Sequence, residues 1–215
     1  MGYTTVIFDY DGTLVDSQEG IAKGFQQALA AYGIREEVEE IKKLIGPPLS
    51  RTIVTKYGFG EEDAKEAMAI FRRYVREHGN EECRVFDGVP EMLRGLREAG
   101  LSLAIATNKP ESIALPQIRY LGLEPYFSAI MANNDAQDRG SKSDFVRMAM
   151  EACGGSAAQS LMVGDRRNDI EGGKAVGLDT AGVLYGYGSP EEIRDSAPTY
   201  VAATPMEILD LVKNA

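Results

Sequence analysis

Apolar positions change period along this chain. Val6-Ile7-Phe8 is a short apolar run bounded by polar residues, which predicts a strand buried on both faces, as in a parallel sheet. The period then lengthens. Ile21, Phe25, Leu29 and Tyr32 recur about every four residues and predict an amphipathic helix opened by Ser17 and closed at Gly33. Val38, Ile41 and Leu44 predict a second helix over 36–44, broken by Gly46-Pro47-Pro48, and a short one follows over 50–57. Ala64, Ala67, Met68, Phe71 and Val75 stripe a longer helix over 61–77, closed by His78-Gly79-Asn80.

Beyond this helical block, strands alternate with helices. The pattern predicts helix 90–99, strand 101–107, a helix ending near Leu121, strand 129–132, helix 143–152, strand 161–164, helix 171–176, strand 180–183 and a terminal helix from Pro205. Such alternation implies a parallel sheet with right-handed crossovers. Pro116 requires the helix after the second strand either to start near it or to kink. The expected organisation is therefore an α/β core of residues 1–15 and 83–215, with residues 16–82 inserted as an all-helical cap hinged at its two junctions.

With 215 residues and 44% hydrophobic content, the chain can build one α/β core and a small extra module. A formal net charge of −10 and a pI near 4.7 argue against nucleic acid or an anionic membrane as partner, since both attract a basic face. An anionic substrate would need local cations. Cys83 and Cys153 fit neither a zinc site nor a disulfide framework and are expected as free, buried thiols. The start lacks a secretory signal pattern, no apolar run approaches bilayer length, and Val6 breaks a myristoylation window, so a cytoplasmic protein is expected.

The candidate chemistry sits at the ends of the predicted strands. After Val6-Ile7-Phe8 come Asp9 and Asp11, which can face the same way from the carboxyl end, where open α/β sheets bind ligands. Two such carboxylates repel, so either a cation binds them or one holds a proton. An ionised carboxylate on Mg²⁺ can attack phosphorus while a protonated partner serves the leaving oxygen. Thr107-Asn108-Lys109 ends the second strand with a hydroxyl and backbone N–H groups suited to phosphate oxygens, although a threonine there can equally cap the next helix. Lys142 stands at a predicted helix start, where the helix dipole gives a cation no support and a bound phosphate would; the alternative is a solvated loop lysine. In Leu161-Met162-Val163-Gly164-Asp165-Arg166-Arg167-Asn168-Asp169, two aspartates follow a buried strand and lie one turn apart, hard oxygen ligands that suit Mg²⁺.

The string FDYDGTLVDS resembles the first motif of the haloacid dehalogenase superfamily of phosphohydrolases, and Thr107, Lys142 and GDRRND match its later motifs in order. The resemblance covers nearly the whole chain and is to members with a small helical cap. It implies a Rossmann-like core with the site at the cap interface, Asp9 as nucleophile and Asp11 as general acid and base. It further implies Lys142, Thr107 and the Asn108 N–H on the phosphoryl oxygens. Mg²⁺ would sit on Asp9, the main-chain carbonyl of Asp11 and Asp165, with Asp169 a ligand directly or through water. GSKSDF departs from the Lys-Pro run of many phosphoglycolate phosphatases and phosphoglucomutases and is closer to nucleotidase-like members.

These expectations describe a Mg²⁺-dependent phosphatase, monomeric or homodimeric, acting on a small phosphate ester such as phosphoglycolate, a nucleoside monophosphate or a sugar phosphate. The stiff Gly46-Pro47-Pro48-Leu49-Ser50-Arg51 segment would read the leaving group through Arg51, or else is a turn with a solvated arginine. His78 reads as a helix C-cap. Dehalogenases of this fold lack the second aspartate, a phosphomutase would keep it, and a phospho-acceptor signalling module would be shorter and uncapped.

Overall fold

The computed structural model describes residues 2–45, 49–134 and 140–215; the Gly46-Pro47-Pro48 turn lies outside them. In chain order the elements are β1 (Thr5–Phe8), β2 (Val15–Asp16), α1 (Gln18–Ala30), α2 (Val38–Lys42), α3 (Leu49–Thr55), α4 (Glu61–His78), β3 (Arg84–Val85), α5 (Val89–Glu98), β4 (Ser102–Pro110), α6 (Glu111–Tyr120), β5 (Ala129–Asn133), α7 (Lys142–Ala152), β6 (Ser160–Gly164), α8 (Arg167–Val176), β7 (Asp179–Val183), α9 (Pro190–Asp195), β8 (Tyr200–Ala202) and α10 (Pro205–Asn214). Among the described residues the chain divides into two compact units, one of residues 1–16 and 85–215, the other of residues 17–84.

In the first unit, six strands form a parallel sheet in the order β5-β4-β1-β6-β7-β8, while β2 and β3 make a separate two-stranded sheet. Each residue of β1 is buried because neighbours flank it on both edges and helices cover its faces. One face rests on α7: Phe145, Val146 and Ala149 close over Ile7, Ala104, Ala106 and Met162. Burying each of the larger side chains contributes roughly 1.5–3 kcal/mol. The chain moves outward from β1 through β4 to β5, then returns to β1's other edge at β6. Strand order therefore reverses at β1, which opens a crevice at the carboxyl ends of β1, β4 and β6.

The helical unit is built on α1 and α4. Ile21, Phe25, Ala28 and Leu29 form the buried stripe of α1, and Gly24 lets α4 approach, since a Cβ there would lie 3.0 Å from Val75 Cγ2. Tyr57 meets Phe25 edge-on at 6.0 Å. Ser17 occupies the N-cap position of α1, but its side chain makes no capping hydrogen bond, contrary to the expected cap.

The expected strands are present, with β4 extending to Pro110. The helix boundaries differ more. α6 runs through Pro116 rather than starting near it, giving up one backbone hydrogen bond. α8 starts at Arg167 rather than at residue 171, because Asp169 caps it and no apolar residue marks that first turn. Cys83 and Cys153 form no disulfide, and both are half-buried rather than buried. No helix among the described residues is long and apolar enough to cross a membrane.

Candidate active site

Register brings the motifs together. Phe8 stands opposite both Ile105 of β4 and Val163 of β6, so the residues that follow these three strands emerge at one level. The Asp9 N–H donates to the Val163 carbonyl at 2.9 Å, which continues the ladder one residue past β1 and fixes where the carboxylate leaves the sheet.

Lys142 is the first residue of α7. Ser141 caps that helix in a box with Asp144, which anchors the lysine backbone. Its side chain is 5% exposed and turns inward, donating to Asp9 Oδ1 at 2.5 Å and the Ala106 carbonyl at 2.7 Å, and pairing with Asp169 Oδ1 at 2.9 Å. The alternative of a solvated loop lysine therefore fails.

Asp165 follows β6 and is fully buried. Its Oδ1 accepts from the Thr13 hydroxyl at 3.1 Å and its Oδ2 from the Tyr187 N–H at 2.8 Å. The remaining aspartate of the motif, Asp169, accepts from the Arg166 N–H at 2.9 Å as part of the α8 capping box. Two glycines make room for these carboxylates. A Cβ on Gly164 would lie 2.2 Å from Asp169 Cβ; one on Gly12, whose φ is +83°, would lie 2.3 Å from Asp165 Oδ2.

Asp9, Asp165 and Asp169 each place a carboxylate oxygen within 4.8 Å of the others. Burial, opposed by Lys142 and reinforced by the charge of Asp169, raises the Asp9 pKa from its ordinary 3.8 to about 7. Burial and the same two neighbouring carboxylates push Asp165 up, against the Tyr187 and Thr13 hydrogen bonds. Burial works against the charge on Lys142, but Asp169 and Asp9 outweigh it and hold the ammonium more firmly charged than usual. Among the described residues, this cluster thus gathers three carboxylates around a site where one ammonium, Lys142, pairs with two of them, Asp9 and Asp169. That imbalance, made of hard oxygen donors, fits a divalent cation.

Thr107 is buried at the end of β4, and its hydroxyl accepts from the Lys109 N–H at 3.1 Å. Asn108 is exposed between them. The Asp11 carboxylate lies outside the three-carboxylate cluster: Lys109 Nζ binds its two oxygens at 2.8 and 3.1 Å. Arg51 lies on α3 of the helical unit and is exposed. His78 ends α4 and tilts against Tyr74, ring centres 4.7 Å apart.

Two contributions escaped the sequence reading. One is Lys109, whose partner is Asp11, 98 positions earlier. The other is the Leu184-Tyr185-Gly186-Tyr187-Gly188 loop after β7, which no apolar period marks. It supplies the Tyr187 N–H to Asp165, and the Tyr185 hydroxyl donates to the Thr13 carbonyl at 3.0 Å. Its alternating glycines were the available signal: a Cβ on Gly188 would lie 2.0 Å from the Asp165 carbonyl oxygen.

This arrangement of sheet, strand-end carboxylates and buried lysine has close relatives. The family description "haloacid dehalogenase-like hydrolase" matches residues 6–183. The chain belongs to the haloacid dehalogenase-like hydrolases, on the phosphatase side of that family. It is 39% identical over 202 residues to a 5'-nucleotidase of Pseudomonas aeruginosa, covering 94% of this chain and 91% of that protein. It is 37% identical over 206 residues to the tyrosine-protein kinase PtkA of Mycobacterium tuberculosis, covering 94% of this chain and 70% of that one. A crystal structure of a predicted phosphatase from Clostridium acetobutylicum superposes over 100% of both chains with a TM-score of 0.93 at 33% identity.

Proposed function

We propose that this protein is a Mg²⁺-dependent phosphatase that hydrolyses a small soluble phosphate monoester through an aspartyl-phosphate intermediate on Asp9. The observation that carries the reading is the cluster of Asp9, Asp165 and Asp169, two of whose members, Asp9 and Asp169, hold the buried Lys142 ammonium. Asp9, Asp165 and, directly or through water, Asp169 would hold the cation, together with the main-chain oxygen of Asp11. The bound cation would supply positive charge that lets an anionic phosphoryl group approach an anionic nucleophile.

Asp9 forms the new bond to phosphorus in line with the departing ester oxygen, and that oxygen takes a proton from Asp11. A water then attacks the phosphorus of the phosphorylated Asp9, giving its proton to the Asp11 carboxylate; the phosphorus–Asp9 oxygen bond breaks, which restores the Asp9 carboxylate, and inorganic phosphate leaves. Lys142 holds the Asp9 carboxylate in place and meets the charge that spreads over the phosphoryl oxygens. Thr107 and the Asn108 N–H provide neutral donors to the same oxygens.

In this reading the selection of the leaving group falls to residues 17–84, with Arg51 the candidate residue. Nucleoside monophosphates and phosphoglycolate are the first substrates to try. The screen measures phosphate release from a panel of small esters with Mg²⁺, with EDTA and with Asp9→Asn. Release that needs both Mg²⁺ and Asp9 supports the proposal; undiminished release by Asp9→Asn refutes it.

A further inference from the structure

Lys109 carries a role that the phosphate-binding motifs do not give it. β4 shifts register between Ala106 and Pro110, and the alternation of its side chains buries Thr107 and Lys109 while Asn108 faces out. The Thr107 hydroxyl accepts the Lys109 N–H, fixing the backbone from which the lysine departs. From there the side chain passes the Tyr10 ring, its ammonium 5.5 Å from the centroid, and ends on both oxygens of Asp11. The Lys109 side chain is 6% exposed and that of Asp11 22%. A charge buried this deeply needs a counter-charge, and a carboxylate gripped through both oxygens loses its freedom to rotate.

We propose that Lys109 is the positioning residue for proton transfer: it fixes the orientation of Asp11 and stabilises the carboxylate that Asp11 becomes as the leaving oxygen takes its proton. The inference rests on the phosphatase reading above. In the first step the Asp9 oxygen–phosphorus bond forms, the phosphorus–ester oxygen bond breaks, and its electron pair accepts the Asp11 proton. The product alcohol is neutral, and the new negative charge sits on Asp11, beside an ammonium, two residues from a site that already gathers three carboxylates. Charge that develops only in the transition state is where a fixed opposite charge accelerates a reaction. Asp11 then remains aligned to receive the proton of the attacking water.

This role predicts a dependence on leaving group that a merely structural lysine would not produce. Nitrophenolate departs without a proton, whereas an aliphatic alkoxide needs one. The experiment compares kcat/KM for p-nitrophenyl phosphate with that for whichever aliphatic ester the wild-type enzyme turns over fastest among phosphoglycolate, glycerol 1-phosphate and nucleoside 5'-monophosphates. Because general acid catalysis supplies about 10²–10⁴-fold, Lys109→Met should lower the aliphatic-to-nitrophenyl ratio by tenfold or more, on the order of 10²-fold if Asp11 is wholly misplaced. Lys109→Arg, which keeps the charge and a bidentate grip, should recover part of that ratio. In an Asp11→Asn background, Lys109→Met should leave the ratio where Asp11→Asn put it. The ratio is insensitive to a misfolded fraction, and if Lys109→Met is insoluble, Lys109→Gln carries the same test. An unchanged ratio in an active, soluble variant overturns the proposal alone. A wild-type enzyme inactive on every ester overturns the phosphatase reading, and the role of Lys109 with it.

Discussion

Replacing Asp9 by Asn should stabilise the protein while removing its activity, and the stabilisation should depend on pH. Asp9 is 9% exposed, and burial together with the Asp169 charge outweighs the Lys142 ion pair enough to raise its pKa from 3.8 to about 7. At 1.36 kcal/mol for each tenfold change in acidity, the ionised form is disfavoured in the fold by about 4 kcal/mol relative to the unfolded chain. For a carboxylate raised in this way the folded state keeps a proton that the unfolded state has lost. Its stabilising contribution is therefore complete below about pH 4, falls away as pH rises to about 7, and is absent above. Asn keeps an oxygen that can accept from Lys142 but carries no charge. Allowing for a weaker hydrogen bond, the net gain at pH 8 in EDTA should be about 2 kcal/mol, roughly 4–8 °C in Tm for a chain of this size. From pH 8 down to pH 5 the folded wild type regains the Asp9 proton, which over the two pH units between about 7 and 5 returns about 3 kcal/mol to it, so at pH 5 the gain should be gone and wild type should be the more stable by up to about 1 kcal/mol. Thermal melts followed by circular dichroism at both pH values measure this directly. A variant less stable than wild type at pH 8, or a gain of equal size at pH 5, would refute the view that Asp9 is a buried, under-compensated charge.

Lys142→Met should abolish phosphate release and, by stranding Asp9 and Asp169 without their shared ammonium, destabilise the fold by about 3–5 kcal/mol at pH 8, read from urea melts. Gly164→Ala drives a methyl group into Asp169, so it should cost about 1–3 kcal/mol in the same melts and weaken Mg²⁺ binding in a calorimetric titration. If Arg51 reads the leaving group, Arg51→Ala should raise KM and reorder the ester preferences in the substrate screen; unchanged values would assign Arg51 to the solvent.

The parts of the fold that could be read beforehand are those where local pattern and burial coincide. β1, β4 and β6 are continuous apolar runs because each is paired on both edges, and each ends in the residues that meet at the site. What escaped was short or depended on distant partners. β8 has three residues and one fully buried position, too few to show a period. α9 has a single buried residue, Ile193, and owes its start to Ser189, which caps it, and to Pro190. The capping box at Asp169 extends α8 back to Arg167 without any apolar signal. The Lys142 pairing could be anticipated only as a cation awaiting a phosphate, since a sequence does not show that Asp9 and Asp169 will both reach it. Lys109 and the Tyr187 N–H serve carboxylates 98 and 22 positions away, and only the folded sheet makes those distances short.

In the proposed reaction a phosphoryl group passes through Asp9. Mixing the enzyme with Mg²⁺ and its best ester, quenching in acid within a turnover and mapping peptides by mass spectrometry should find the phosphoryl increment on the peptide bearing Asp9, and none with Asp9→Asn. Rapid phosphate release with the increment on another residue, or on none at any quench time, would contradict it.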